Sequence, residues 1–322
     1  MKAILVSQAG GPEVLEYKEL ALPSMKKGWS LVKVKGFGLN RSEIFTRQGL
    51  SPSVKFPRIL GIECVGEIVE SEHFPKEQTI VSIMGEMGRA FDGSYAEYVL
   101  LPDHQIYPVE TNLSWADLAA VPESFYTVYG SMKNLHIKED DRVLVRAATS
   151  AAGMTFVRLL RACFPDLVLV ASTQNQAKEE QLLSAGYSQV VLDKDGQLQT
   201  EQTFTKILEL VGPKTIKNSL QHLEEEGILC SVGQLGGQWY LDEFDPIVEL
   251  ANNVYLTTFY SGNVSQEKIN EMFAYIDKYQ VPVAPAHVFS LKEVPQAHAL
   301  IESGQTKGKV VVVLEKEDKD DE

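Results

Sequence analysis

From Arg142 to about Val264 the chain alternates short runs of β-forming residues with stretches of helical apolar spacing, and this alternation constrains the fold more than any other feature. Arg142-Val-Leu-Val-Arg146 reads as a strand and residues 153–163 as a helix. Leu167-Val-Leu-Val-Ala171 reads as a strand, and residues 176–185 as a helix ending at Gly186. Gln189-Val-Val-Leu192, Lys206-Ile-Leu-Glu-Leu210 and Gly227-Ile-Leu-Cys-Ser-Val232 read as further strands, with a helix over residues 215–225 between the last two. Strand and helix in strict succession predict a doubly wound α/β unit, a parallel sheet with right-handed crossovers.

The first third has a different character. Met1-Lys-Ala-Ile-Leu-Val6, Ser30-Leu-Val-Lys-Val-Lys35, Gly61-Ile-Glu-Cys-Val-Gly-Glu-Ile-Val69, Thr79-Ile-Val-Ser-Ile83 and Gly93-Ser-Tyr-Ala-Glu-Tyr-Val-Leu100 are short strand patterns separated by Gly and Pro turns. Such a run with little helix predicts a small barrel or sandwich. At Ser114-Trp-Ala-Asp117 a serine with an acid three residues on forms a variant capping box. It opens a helical stretch to Leu135, interrupted near Pro122. After Val281-Pro282 come a helix over residues 290–303 and a strand at Lys309-Val-Val-Val-Val-Leu314, too little for a domain and expected to complete the first one. The expected division is residues 1–117 plus 283–322 around an inserted unit of residues 118–282. Residues 315–322 are a charged end expected to fray.

Composition narrows the function. A formal net charge of −14 over 322 residues makes nucleic acid and anionic membrane surfaces poor partners. Cys64, Cys163 and Cys230 stand apart with no CxxC pair, which argues against a disulfide framework or a cysteine-rich zinc site. No apolar run reaches the ~18–20 residues needed to span a bilayer, and Met1–Gly10 lacks the apolar length of a signal peptide. A cytoplasmic protein is expected.

The turn after Arg146 is where a dinucleotide fold sets a phosphate against the start of a helix. Ala147-Ala-Thr-Ser-Ala-Ala-Gly153 keeps only Gly153 of the G-x-G-x-x-G pattern. Ala147, Ala148, Ser150, Ala151 and Ala152 are nevertheless small enough for close backbone approach, and Thr149 and Ser150 carry hydroxyls. A tight strand–helix turn with nothing bound is the competing reading. The next strand ends Val170-Ala-Ser-Thr173 with no acid to hold a ribose 2′-hydroxyl, and Lys178 follows. Ser172, Thr173 and Lys178 suit a 2′-phosphate and hence NADPH. Lys178 is otherwise a solvated helix lysine.

The order of a β-rich domain, an inserted dinucleotide-binding unit and a returning tail resembles the medium-chain dehydrogenase/reductase superfamily. The landmarks are Gly11-Pro12-Glu-Val-Leu15, Gly38-Leu-Asn-Arg-Ser-Glu43, Pro57-Arg-Ile-Leu-Gly-Ile-Glu63, Gly93-Ser-Tyr-Ala-Glu-Tyr98 and Lys307-Gly-Lys-Val-Val311, in that order. The resemblance covers nearly the whole chain and implies a Rossmann sheet inserted into a GroES-like domain. Zinc-dependent members carry Cys where this chain has Asn40, and His-Glu where it has Ile62-Glu63. The chain is therefore similar to the zinc-independent quinone oxidoreductase branch, with a quinone or α,β-unsaturated carbonyl as acceptor and a homodimer as the usual assembly. The six histidines, His73, His104, His136, His222, His287 and His298, are too scattered for a metal site.

Asn40 could position substrate or nicotinamide, and Tyr126 is a candidate proton donor; by resemblance Thr127 lies beside the nicotinamide, Lys309 near the cofactor, and Gly233 in a turn where a side chain would meet the nicotinamide. Each has a plainer alternative: a helix-capping Asn40, a core Thr127, a buried aromatic Tyr126, a strand-edge Lys309. Several relatives carry a tyrosine just after the Asn40 position. Here none occurs between Asn40 and Ile62, so the donor that those relatives place there is not identified. Residues 252–260 could form the edge strand of a dimer or a buried strand. An enoyl-thioester reductase and a non-catalytic NADPH-binding protein, as in crystallins of the superfamily, are the other functions left open.

Overall fold

The computed structural model describes residues 1–314, so the charged end 315–322 lies outside the described residues. It divides into two units. The first comprises Met1–Glu123, Gly262–Glu271 and the described residues 283–314; the second comprises Ser124–Ser261 and Met272–Pro282.

The first unit is built on antiparallel strands. Trp29–Gly38 is its long central strand. It pairs along one edge with Glu63–Glu70 and along the other with both Tyr98–Pro102 and Val310–Val313. Thr79–Ile83, Tyr107–Pro108 and His287–Phe289 extend the sheet. Lys2–Val6, between Leu15–Glu19 and Arg58–Ile59, forms a second, three-stranded sheet. Val32 and Val34 of the central strand point into a core with Ile4, Phe37, Ile68, Ile80 and Val312, while Lys33 between them is exposed. Each such apolar side chain contributes about 1.5–3 kcal/mol by leaving water. Val311 sits opposite Gly38, so the returning tail completes the first unit, as its length demanded.

The second unit is a Rossmann sheet. In space its strands run Gln197–Leu198, Gln189–Lys194, Val168–Thr173, Arg142–Arg146, Phe204–Glu209, Leu223–Ser231, Tyr255–Thr257. All pairs are parallel except the short Gln197–Leu198 hairpin. Apart from that hairpin the order is 3-2-1-4-5-6, which reverses between Arg142–Arg146 and Phe204–Glu209. Val143, Leu144 and Val145 are all fully buried, as befits a parallel strand covered on both faces.

Several sequence boundaries need correction. The helix expected over residues 215–225 is Pro213–Gln221, and Leu223–Ser231 is strand. Glu224, Glu225 and Glu226 favour helix intrinsically. Their segment is captured instead by the sheet: Phe204 N–H donates to His222 O and Phe204 pairs with Leu223. The strand expected from Gly93 begins only at Tyr98. Gly93 and Tyr95 donate to Ile59 and Leu60 carbonyls while Ile4 donates to Tyr95, so the segment crosses between elements rather than running in one ladder. The helices expected over residues 176–185 and 290–303 both start as 3-10 turns, Gln176–Lys178 and Leu291–Glu293. The cap at Ser114 forms as read, its hydroxyl accepting from Asp117 N–H. Cys64 and Cys230 are buried, and no cysteine pairs with another.

Candidate functional site

In the second unit, the turn after Arg146 is shaped by its own backbone. Ala147 takes a left-handed φ of 60°, a conformation that costs a non-glycine residue about 1–3 kcal/mol and is kept where the surroundings dictate it. Ala147 N–H donates to Ser172 Oγ at 3.2 Å and Ala148 N–H to Ser172 O at 3.1 Å, which ties the turn to the neighbouring strand. Ser150 is the N-cap of helix Ala151–Cys163, and its hydroxyl accepts from Gly153 N–H at 3.1 Å. A helix leaves its first N–H groups without intrahelical partners. With that of Gly153 satisfied by Ser150, those of Ala151 and Ala152 remain to meet an anion, with only methyl side chains beside them and Thr149 in the same turn.

A Cβ on Gly153 would stand 2.5 Å from Ala148 O. The glycine is thus demanded by strand–helix contact, and Tyr187 fixes it further by donating to Gly153 O at 2.8 Å. Gly153→Val should push the helix start off the turn, lowering stability by about 1–3 kcal/mol. Thermal unfolding beside wild type measures it, and an unchanged transition would refute the contact argument.

Ser172 and Thr173 are buried at the end of the next strand. Besides accepting from Ala147, the Ser172 hydroxyl retains a proton to give. Thr173 Oγ1 accepts from Asn175 N–H at 3.2 Å, closing the local turn. Lys178, half-buried, ends the 3-10 turn that follows. Gly233 lies in the loop after Leu223–Ser231, where a side chain would overlap the Leu210 carbonyl. Its glycine is therefore required by the neighbouring loop, whose Val211 O accepts from Gly236 N–H at 2.9 Å. Tyr126 and Thr127 are buried on helix Pro122–Leu135; Tyr126 packs edge-on to Phe259, and Thr127 O accepts from Ser131.

Beneath these loops lies a charged network that the sequence reading missed. Arg146 is fully buried. Its Nε donates to Asp193 Oδ2 at 2.8 Å, one terminal nitrogen to Thr215 O and Ser219 Oγ, the other to Gly196 O. Glu209 stands 4.0 Å from the same Nε and accepts from Ser219 Oγ and from the N–H groups of Val211 and Gly212. Burial pushes the Glu209 carboxyl up, against the pull of Arg146. One carboxylate thus holds the loop after its own strand.

In the first unit, Asn40 and Lys309 are brought together. Lys309 Nζ donates to Asn40 Oδ1 at 2.6 Å and to Glu63 Oε1 at 2.7 Å. Asn40 Nδ2 donates to Glu63 Oε1 at 2.8 Å. Glu63 Oε2 accepts from Glu123 N–H at 2.8 Å. Asn40 occupies the N-cap position of helix Arg41–Arg47, yet its side chain does not cap it; the amide is spent on Glu63 and Lys309. A side chain at Gly38 would overlap both Lys309 and Glu63, so the cluster fits only against a glycine. Glu43 completes the group and was also missed.

Residues 26–111 match the alcohol dehydrogenase GroES-like domain and residues 185–312 the zinc-binding dehydrogenase domain. The chain belongs to the medium-chain dehydrogenase/reductase superfamily. It is 28% identical to the quinone oxidoreductase of Lama guanicoe, over 98% of both chains. It is 25% identical to that of Homo sapiens, also over 98% of both. The superfamily fold is seen again in the yhdH oxidoreductase of Salmonella enterica in complex with NADP, at 20% identity, with a TM-score of 0.85 over 98% of this chain and all of that one. Although the second matched domain is named for zinc, among the described residues no group of three or more His, Cys, Asp or Glu side chains could hold a metal ion. Nor is any described helix long and apolar enough to cross a membrane.

Proposed function

We propose that the protein is an NADPH-dependent, zinc-independent oxidoreductase that passes a hydride to a quinone or an α,β-unsaturated carbonyl. The observation that carries this reading is the turn from Ala147 to Gly153, set where the sheet order reverses and closed on a helix N-terminus lined by alanines. That geometry fits a diphosphate. Its likeness to quinone oxidoreductases over nearly the full length supports the acceptor class.

A reduced nicotinamide, when bound, supplies the hydride. The chain's part is to hold and to shield. Ala151 and Ala152 N–H groups would meet the diphosphate, and Thr149 and Ser150 hydroxyls would add bonds. Ser172, Thr173 and Lys178 would receive the 2′-phosphate, the strand end Val170-Ala-Ser-Thr173 carrying no acid to repel it. Asn40, Tyr126 and Thr127 are the residues assigned to substrate and nicotinamide, and Gly233 and Lys309 to the cofactor's surroundings. A conjugated acceptor spreads the incoming charge over its π system and so needs no Lewis acid, in keeping with Asn40 and Ile62 at the positions where zinc-dependent members bind metal. The same reading places the protein in the cytoplasm as a homodimer, joined at the outer edge of strand Tyr255–Thr257, the last strand in its sheet.

Fluorescence titration tests the reading. NADPH should bind more tightly than NADH, and Lys178→Glu should weaken NADPH binding roughly 10–100-fold, the worth of one charge-assisted contact, while leaving NADH nearly unchanged. Binding of neither nucleotide would overturn the proposal. Equal binding of both would remove the role given to Lys178 alone. Stoichiometric zinc that activity requires would overturn the metal-free mechanism.

A further inference from the structure

Two arginines of the first unit lack the counter-ion that other cations around them have. Arg47 pairs with Glu302, Arg58 with Asp92 and Lys309 with Glu63. Among the described residues neither Arg41 nor Arg89 forms an ion pair, and the Nε of each is buried without a hydrogen-bond partner. The chain holds 44 acidic side chains against 30 basic ones, so acids to pair with are not scarce. Arg89 Nη2 donates to Ser42 Oγ at 2.6 Å, and the Ser42 hydroxyl keeps its own proton to give. The Arg41 guanidinium lies over the Phe45 ring, 5.7 Å from its centroid, a contact that orients the charge without cancelling it. The carboxylates on the same elements do not serve. Glu63 is held by Lys309 and Asn40. Burial pushes Glu43 up to about 8, which leaves it mostly uncharged at neutral pH. Glu86 is exposed and points to neither arginine as an ion pair. The loop that carries Arg89 is pinned. Met84 and Glu86 take left-handed φ values of 58° and 67°, which cost about 1–3 kcal/mol each and persist where the surroundings dictate them. Met84 N–H donates to Ile62 O at 2.6 Å, Gln105 Nε2 to Gly85 O at 2.8 Å, and Gly93 N–H to Ile59 O at 2.8 Å. A Cβ on Gly88 would stand 2.6 Å from Gly61 O. Arg89 is thus held in a set place from both sides.

We propose that Arg89, with Ser42 and Arg41 beside it, is an anion site, and that the acceptor is a short conjugated carbonyl compound carrying a carboxylate. The proposal rests on the hydride-transfer reading above and narrows its substrate class. A desolvated cation with no partner is costly, and an arriving anion removes that cost. A carboxylate offers two oxygens to the planar fork of Arg89, and the Ser42 hydroxyl adds a donor. Asn40, the residue assigned to substrate, is followed directly by Arg41 and Ser42, so the anion and the conjugated carbonyl are separated by only a few bonds. The carboxylate is bound and does not react: no bond to it forms or breaks. An uncharged quinone would leave both arginines as they stand.

Calorimetric titration of the protein saturated with oxidised NADP tests the site without turnover. The probes are levulinate and its methyl ester, the saturated counterparts of β-acetylacrylate and its methyl ester. Levulinate should bind roughly 10–100-fold more tightly than the ester, the worth of hydrogen bonds to a charged group. Arg89→Gln should erase at least roughly 10-fold of that preference. Arg89→Lys keeps the charge without the fork and should retain part of it. Arg41→Gln should remove a smaller share. With NADPH as reductant, the loss in Arg89→Gln should fall on KM for β-acetylacrylate rather than on kcat, because the carboxylate contact is the same before and during hydride transfer. Equal binding of levulinate and its ester by wild type overturns the proposal, and so does a preference that survives Arg89→Gln. If Arg89→Gln does not fold, an undiminished preference in both Arg89→Lys and Arg41→Gln overturns it as well. Failure of wild type to bind either nucleotide overturns the hydride reading instead, and titration of levulinate against its ester without nucleotide then still reports whether the arginines hold an anion.

Discussion

Arg146→Met is expected to lower the unfolding free energy by about 3–5 kcal/mol, the cost of removing one partner from a buried ionic group. The side chain is fully buried and satisfies Asp193, Gly196 O, Thr215 O and Ser219. Methionine fills similar volume but donates nothing. Asp193 and Glu209 would stay in the interior as unpaired carboxylates, and two carbonyls would lose their donors. Arg146→Lys should recover only part of the loss, because one ammonium cannot reach four acceptors set around a planar fork. The deficit should shrink as pH falls, since Glu209, whose carboxyl burial already pushes up, can then take a proton. Guanidinium unfolding at two pH values measures it, and a loss below about 1 kcal/mol would mean that the network contributes little.

Lys309→Met should cost a similar amount, about 3–5 kcal/mol, because Glu63 would be left charged with almost no water. Lys309 and Glu63 are 3% and 0% exposed, which removes solvent screening from the pair. The second consequence concerns Glu63 Oε2, which holds Glu123 N–H near the start of helix Pro122–Leu135. Adding Glu63→Gln to Lys309→Met should therefore restore much of the loss, giving a double-mutant coupling of about 2 kcal/mol or more. Additive losses would show that the two side chains act separately.

The large pattern of the fold was legible in the sequence because it is periodic. Alternation of strand and helix over residues 142–232 corresponds to the parallel sheet, and the tail at Val310–Val313 pairs where a fragment too short to fold alone had to go. Asn40 and Lys309 could be singled out by position along the chain, and they meet at 2.6 Å. Glu43, Glu63 and Arg146 could not be found in that way. Pattern reading assigns charged residues to water, whereas these three are buried by partners far away in sequence. A signal was present for Arg146. In Arg142-Val-Leu-Val-Arg146 the charge ends a run long enough to lie between two covered faces, where only a paired ion is tolerated. For Glu63 the preceding apolar residues carry the same hint. The overrun of the helix at Gln221 has the opposite cause: three glutamates favour helix locally, and strand pairing with Phe204–Glu209 overrides them.

The last strand, Val310–Val313, joins Trp29–Gly38 near the other end of the sequence. A ribosome delivers the chain from its N-terminus, so the run Ser124–Ser261 is complete before that strand has been made. Until then the backbone at Gly36–Gly38 presents unpaired N–H and C=O groups, an edge open to foreign strands. The strands of the inserted Rossmann sheet, Arg142–Arg146 to Tyr255–Thr257, are all available by then. The pairing that seals the first sheet is therefore the one whose second half is synthesised latest.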